Sequence, residues 1–313
     1  METIDQGDLL DEMPPDHRSG FVAVVGRPNV GKSTLMNALL GQKIAIVSAR
    51  PQTTRNRISG ILTLDDMQVI FIDTPGIHQP EHNLGKYMVD QALSSLPDAD
   101  LVLWVTDVSK RPNDDDMRVA QVLAGQVLPV ILVMNKIDAT PPDTLLGNSA
   151  AFRDLVPMAV ADIAISALRD QGLGSLRDLL WQHLPLGPRY FPPDQVTEVQ
   201  ERFLAAELVR EQALHLLREE VPHAIAVEIE EFSQRPNGVV YIAARVFVER
   251  DSQKGILLGK GGSMLKRIGS AARREIETMM EAPVFLDLHV AVKTQWRRNQ
   301  ADLRSLGYAV RDA

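Results

Sequence analysis

The stretch "VAVVGRPNVGKSTLMNALLG", Val22 to Gly41, decides how the first half of the chain folds. An apolar, β-branched run enters it. A turn with two glycines and a lysine follows, and a helical pattern from Lys32 to Leu40 leaves it, closed by Gly41. Gly26-Arg27-Pro28-Asn29-Val30-Gly31-Lys32-Ser33 fits GxxxxGK[ST]. Glycines there let backbone N–H groups turn inward, and the helix start adds positive potential, so the turn suits a polyphosphate. Gly26, Asn29, Val30, Gly31, Lys32, Ser33 and Thr34 are the candidate phosphate-binding residues. Lys32 would reach the β/γ-phosphates and Ser33 would hold Mg²⁺.

Working outward, "VIFID", "LVLWVTD", "VILVMNK" and "IAISA" are further short apolar runs, separated by amphipathic segments such as "DMRVAQVLAGQ" and "GSLRDLLWQHL". Runs of this kind suit strands buried on both faces of a parallel sheet. The rhythm predicts an α/β, doubly wound domain over residues 20–186. Its strand ends carry three more motifs. Asp73-Thr-Pro-Gly76 ends "VIFID": the carboxylate can hold Mg²⁺ and the Gly76 N–H can sense a γ-phosphate. Asn135-Lys136-Ile-Asp138 ends "VILVMNK". Asp138 can accept both N–H groups of the guanine N1/N2 edge, which adenine lacks, so GTP and GDP are preferred over adenine nucleotides. Lys136 can pack its stem on the base, and Asn135 can tie this loop to the first. Ser166-Ala167-Leu168 follows, where the Ala167 N–H can meet guanine O6.

These motifs, in this order, resemble the translation-factor-like class of GTPases. The resemblance extends to "QTTR", Gln52 to Arg55, as the first switch, with Thr54 as second Mg²⁺ ligand and γ-phosphate sensor, and Thr53 as the alternative. Lys32, Thr54, Gly76 and Asn29 are the candidate catalytic residues. Where Ras-type GTPases keep a water-orienting glutamine after DxxG, this chain has Ile77, so slow hydrolysis is expected. Asn29 resembles the asparagine of GTPases that use K⁺ in place of an arginine finger.

Four prolines, at 185, 188, 192 and 193, interrupt the rhythm, and residues 187–197 read as a linker. Residues 198–313 follow another order. A long helix covers roughly Glu198 to Arg218, and "AIAVEIEEF" and "VVYIAARVFV" flank the turn "RPNG" as a hairpin. A short helix "QKGILL", a helix from Ser263 to Met280 and a strand "VFLDLHVAV" complete the pattern α-β-β-α-α-β. Between its last two helices lies Gly259-Lys260-Gly261-Gly262. Lys254 precedes this loop, Lys266 and Arg267 follow it, and no Asp or Glu falls between Gln253 and Ala272. Together these features resemble a KH domain of the bacterial type (type II), a smaller α+β fold. Its GxxG loop clamps the backbone of about four single-stranded nucleotides. Ile256, Leu257 and Leu258 are expected to floor the base groove.

Composition sets the frame. The net charge of −8 argues against a nucleic-acid partner, yet residues 251–300 hold nine Lys/Arg against five Asp/Glu, leaving −12 for the remainder. Local field governs phosphate binding more than the total does. There is no cysteine, hence no disulfide and no thiolate metal site. Residues 1–19 carry six acids and one arginine and read as a flexible acidic tail.

A G domain followed by this KH domain resembles the Era GTPases from Gly20 onward. The resemblance implies GTP/GDP and Mg²⁺ as ligands. It also implies binding to the single-stranded 3′ end of 16S ribosomal RNA and a role in assembly of the small ribosomal subunit. It implies a cytoplasmic protein with peripheral association to the inner membrane, and a monomer is expected. A second reading is a membrane- or protein-recruited signalling GTPase whose KH-like domain binds protein. A tandem-G-domain ribosome GTPase is disfavoured by the single GKS and NKxD, and an ATP kinase by Asp138.

Overall fold

The structure, a computed structural model, describes residues 13–48, 50 and 53–308. Most of the acidic tail, and Gln52 of the switch motif, lie outside the described residues. The chain divides into two compact units. The first holds the chain up to Ala45, Thr54–Gln79 and Met88–Glu198; the second holds Ile46–Thr53, Pro80–Tyr87 and the chain from Val199 onward.

The first unit runs β1 (Arg18–Val25), α1 (Lys32–Leu40), β2 (Ile58–Thr63), β3 (Met67–Asp73), α2 (Asn83–Leu93), β4 (Leu101–Asp107), α3 (Asp114–Ala124), β5 (Val130–Asn135), α4 (Pro142–Leu155), β6 (Ala161–Ala164) and α5 (Leu173–His183); the first turn of α2 belongs to the second unit. The six strands form one sheet in the order β2-β3-β1-β4-β5-β6. All pairs are parallel except β2 with β3. The apolar runs β3, β4 and β5 are buried at every residue, as strands covered on both faces must be. Trp104 of β4 lies edge-on to Phe152 of α4 at 6.3 Å in this core.

Three sequence expectations change. The antiparallel strand β2 is not foreseen from sequence, because "ISGILT" is short and carries a glycine. Residues 18 and 19 are strand rather than tail: Arg18 N–H donates to Asp66 O and Ser19 N–H to Pro185 O. The proline-rich stretch 187–197 breaks the helix but does not run free, because its backbone is bonded to the first unit. Tyr190 and Phe191 N–H groups donate to Gln68 Oε1 at 2.7 and 3.0 Å. The Ile61 N–H of β2 donates to Val196 O at 2.7 Å, and Thr197 Oγ1 donates to Ser59 O at 2.6 Å.

The second unit has α6 (Glu201–Leu216), β7 (Ala226–Gln234), β8 (Val240–Val248), α7 (Asp251–Leu258), α8 (Ser263–Met280), β9 (Val284–Val292) and α9 (Gln300–Ser305). Its sheet order is β7-β8-β9, antiparallel then parallel. One core joins Leu208, Val209, Ile242, Val246, Leu257 and Ile276, and it also takes in Ile46. Among the described residues no helix is long and apolar enough to cross a membrane.

Candidate nucleotide and nucleic-acid sites

The parallel order of β3, β1, β4 and β5 brings their C-terminal ends side by side, where open α/β sheets bind ligands. Gly26 to Gly31 follow β1, Asp73 ends β3, and Asn135 ends β5. Gly31 sits at φ 101°, and a Cβ there would meet Asn135 Nδ2 at 2.3 Å, so both conformation and space demand glycine. Gly76 packs equally close: a Cβ would fall 2.5 Å from Pro28 N. The DxxG turn is thereby pressed against the phosphate loop, and Ile77 N–H donates to Gly26 O at 3.1 Å.

Ser33, Thr54 and Asp73 converge. Ser33 Oγ donates to Asp73 Oδ2 at 2.8 Å and lies 2.9 Å from Thr54 Oγ1, which is 3.3 Å from the same carboxylate oxygen. Asp73 is fully buried and its Oδ1 has no partner. Burial raises its pKa, against the pull of Lys32 and the hydroxyl donors. A buried carboxylate with an orphan oxygen beside two hydroxyls has the hard oxygen donors that Mg²⁺ takes. Thr53, the alternative, turns away: its hydroxyl donates to Arg50 O at 2.7 Å. Lys32 Nζ donates to Gly26 O and Arg27 O at 3.1 and 3.0 Å, so its ammonium lies across the loop. Burial holds its pKa down to about 8, which a triphosphate's charge would reverse.

At the base end, Asn135 Nδ2 donates to Val30 O at 2.8 Å, and Lys136 Nζ donates to Asn29 O at 2.6 Å. Asp138 Oδ1 accepts from Ser166 Oγ at 2.6 Å, which aims the carboxylate. The Ala167 N–H departs from expectation. It donates to Asn135 Oδ1 at 2.9 Å, so guanine O6 would have to share this donor. Leu168 is exposed, and Thr34 lies in the first turn of α1 after Ser33.

One group of the site carries no signature in the sequence. Asp107, at the end of β4, accepts from Lys136 at 2.8 Å and lies 3.8 Å from Arg27, whose Nε bonds Asp116 at 3.0 Å. Its pKa is lowered: burial works the other way, but the Lys136 and Ser109 hydrogen bonds and the Lys136 and Arg27 charges outweigh it. Nothing in a lone "TD" marks it as the carboxylate that meets side chains of both the phosphate loop and the base loop. His78 is equally unmarked; its Nδ1 is 2.8 Å from Gly76 O.

In the second unit Gly259-Lys260-Gly261-Gly262 joins α7 to α8, and Lys260 and Gly261 are exposed. A groove of about 480 Å³ runs from Gly262 along α8 past Lys266 to Arg273, with Val284, Leu286 and Leu288 of β9 as its other wall. Gly269 permits this close approach, since a Cβ would stand 3.2 Å from Leu288. The expected floor is corrected. Leu257 is fully buried in the core, because helical spacing puts it on the same inward face as Gln253, while Ile256 points out and is 51% exposed. Lys254, Ile256, Leu258 and Arg267 do not line the groove; its apolar floor comes from Leu265 and from β9.

Comparison with known proteins fits both halves. The family description "50S ribosome-binding GTPase" matches residues 21–136, and "KH domain" matches residues 220–297. A protein named GTPase Era from Geobacter metallireducens is 50% identical over 292 residues, covering 93% of this chain and 98% of that protein. The chain belongs to the Era GTPase family. The Era protein of Geotalea uraniireducens is 48% identical over the same shares of the two chains. The crystal structure of an Era in complex with MgGDPNP and nucleotides 1506–1542 of 16S ribosomal RNA superposes with a TM-score of 0.90 at 40% identity. So does a single-residue variant of Aquifex aeolicus Era bound to GDP·AlF₄⁻; each covers 94% of this chain and all of the other.

Proposed function

We propose that this chain is a GTP-hydrolysing switch that binds the single-stranded 3′ end of 16S ribosomal RNA through its KH domain. It acts in assembly and maturation of the small ribosomal subunit. The observation that carries this reading is the presence in one chain of a guanine-nucleotide site and an acid-free GxxG groove. An Era relative at TM-score 0.90 was crystallised with MgGDPNP and a 16S fragment together. Ser33, Thr54 and Asp73 would hold Mg²⁺, which withdraws charge from the β/γ-phosphates. Lys32 and the Gly76 N–H would meet the γ-phosphate, and Asp138 would select guanine. With Ile77 turned into the core, no side chain at that position orients the attacking water. Asn29, at φ 63° within the phosphate loop, is the residue we assign to seating K⁺.

The reading places the protein in the cytoplasm as a monomer, with peripheral contact to the inner membrane as a secondary association. The alternative of a protein-recruited signalling GTPase lacks an observation as direct as the RNA-bound relative. Crosslinking to RNA in cells, followed by sequencing of the bound fragments, tests the choice. Fragments should map to the 3′ end of 16S ribosomal RNA. Recovery of no RNA above background would return the second unit to a protein-binding role.

A further inference from the structure

The outer face of the KH sheet carries a group that neither the nucleotide site nor the glycine loop uses. Tyr241 of β8 and Phe285 of β9 are register partners, and their rings stack at 5.8 Å with 20° between planes. The Arg235 guanidinium, from the β7–β8 turn, lies 4.3 Å from the Tyr241 ring centre and 5.8 Å from that of Phe285. Strand alternation explains the placement. Val284, Leu286 and Leu288 pack inward, so Phe285 between them points outward and is 55% exposed. Arg235 is exposed, and no carboxylate pairs with it among the described residues.

A single exposed aromatic needs no explanation. What distinguishes this one is where the groove ends. Phe285 also lines the groove, at the end away from Gly262. From Gly262 to Arg273 along α8 is a run of about 16 Å at the helical rise. A GxxG loop clamps about four nucleotides. A strand held at Gly262 and laid along α8 therefore leaves the groove at Phe285.

We propose that Arg235, Tyr241 and Phe285 form a stacking platform for one unpaired nucleobase adjoining the segment held by the GxxG groove. Arg235 would face that nucleotide's phosphate. Every base has a π-face, so the platform adds affinity with little sequence preference. The rest of this face bounds it to one nucleotide. Asp287 follows two residues on, 3.3 Å from His289, and Glu230 pairs with Arg245 at 2.5 Å, so acidic groups oppose a phosphate farther along. This inference rests on the RNA reading above.

The test is a double-mutant cycle on the full chain with a twelve-nucleotide single strand from the 3′ end of 16S ribosomal RNA, made abasic at one position at a time. Phe285→Leu keeps apolar cover and removes the ring; Tyr241→Ser shortens the stack from the exposed strand face. At one position just outside the four-nucleotide segment, loss of the base should weaken binding to the unmodified chain roughly tenfold. The same loss should cost almost nothing further in Phe285→Leu or Tyr241→Ser. Arg235→Ala, on an exposed turn, should flatten the salt dependence. Additive effects at every position, with both variants folded by circular dichroism, would overturn the platform while leaving the GxxG reading intact. In that case Gly262→Asp would still weaken binding at least about tenfold. Failure of the unmodified chain to bind the RNA would overturn both.

Discussion

At the scale of single residues, the carboxylates divide the labour. Asp138 accepts from Ser166 at 2.6 Å and is the residue we assign to base choice. Asp138→Asn replaces one of two acceptor oxygens by an NH₂ donor, so one hydrogen bond to guanine is lost and the other loses its charge assistance, on the order of 3 kcal/mol or a hundredfold in GTP affinity. Xanthine, with an oxygen in place of the amino group, should gain. Competition between GTP and XTP reads this out, and an unchanged GTP preference would reassign the base contact. Asp107 stands differently: it touches Lys136 and approaches Arg27 but belongs to no motif of its own. Asp107→Asn should speed nucleotide release about tenfold, the worth of one charge-assisted bond of about 1.5 kcal/mol, while base preference stays put. A changed GTP/XTP ratio in that variant would mean that Asp107 does more than hold the lysine. Ile77 is legible in sequence only as the absence of a glutamine; its burial at 3% exposure adds a structural role. Ile77→Ala should therefore cost about 2 kcal/mol or more of stability, yet leave turnover per folded molecule within about tenfold. If Asn29 seats K⁺, that turnover should be higher in KCl than in NaCl at equal ionic strength, and Asn29→Ala should erase the difference.

At the scale of elements, what is legible in the sequence is whatever has a local signature. Strands β3, β4 and β5 show as unbroken apolar runs because both faces are covered, and α1 ends at the glycine that marks its stop. β2 is hidden because an edge strand of six residues owes its existence to its partner β3, and a partner leaves no mark on local sequence. The same reason hides the groove wall. Leu265 is near the GxxG loop, but Leu286 and Leu288 reach it only through the pairing of β9 with β8. Ile256 to Leu258 look like a floor because they adjoin the loop, whereas helix periodicity sends Leu257 into the core. The loop itself yields a sharp prediction. Gly262 has φ 79° and open space where a Cβ would go, so Gly262→Asp is strained but not sterically blocked. It puts a negative charge at the mouth of the groove, worth up to about 4 kcal/mol against a phosphate at 4 Å before salt screening. RNA affinity should fall at least about tenfold, and GTP affinity should hold. Lys260→Ala should act more mildly, weakening all RNA sequences alike and lowering the salt slope by about 0.7. Anisotropy titrations at several salt concentrations measure both, and unaltered binding by a folded Gly262→Asp protein would leave the loop a turn and nothing more.

At the scale of the molecule, the division of the chain matters more than either site alone. Thr54 stands with Ser33 and Asp73, while the residues just before it, Ile46–Thr53, belong to the second unit. There Val47 N–H donates to Glu211 at 2.8 Å, Val47 O lies 2.9 Å from His215 Nε2, and the Arg210 guanidinium bonds Thr53 O. The segment after the DxxG turn behaves alike. Pro80–Tyr87 belongs to the second unit, where Leu84 N–H donates to Arg297 O at 3.0 Å and Asn83 Nδ2 to Arg298 O at 2.6 Å. Both chain segments that adjoin Thr54 and Gly76, the candidate γ-phosphate sensors, thus belong to the unit that holds the KH domain. If Thr54 and Gly76 are drawn to a γ-phosphate, the free energy of that shift is spent partly on these bonds. By linkage, RNA must then change the affinity for a GTP analogue by the same factor as the analogue changes the affinity for RNA. A coupling of at least about 1 kcal/mol, roughly fivefold, is expected between the GDP and GTP-analogue forms. His215→Ala and Asn83→Ala remove two of the bonds from exposed side chains, so the fold should survive. The double variant should bind each ligand alone as before, while the coupling factor falls toward one. Titrating RNA with each nucleotide present, then nucleotide with RNA present, closes the cycle; equal RNA affinity in both nucleotide states of the unmodified chain would mean that these segments are only seated in the second unit and carry no signal through it.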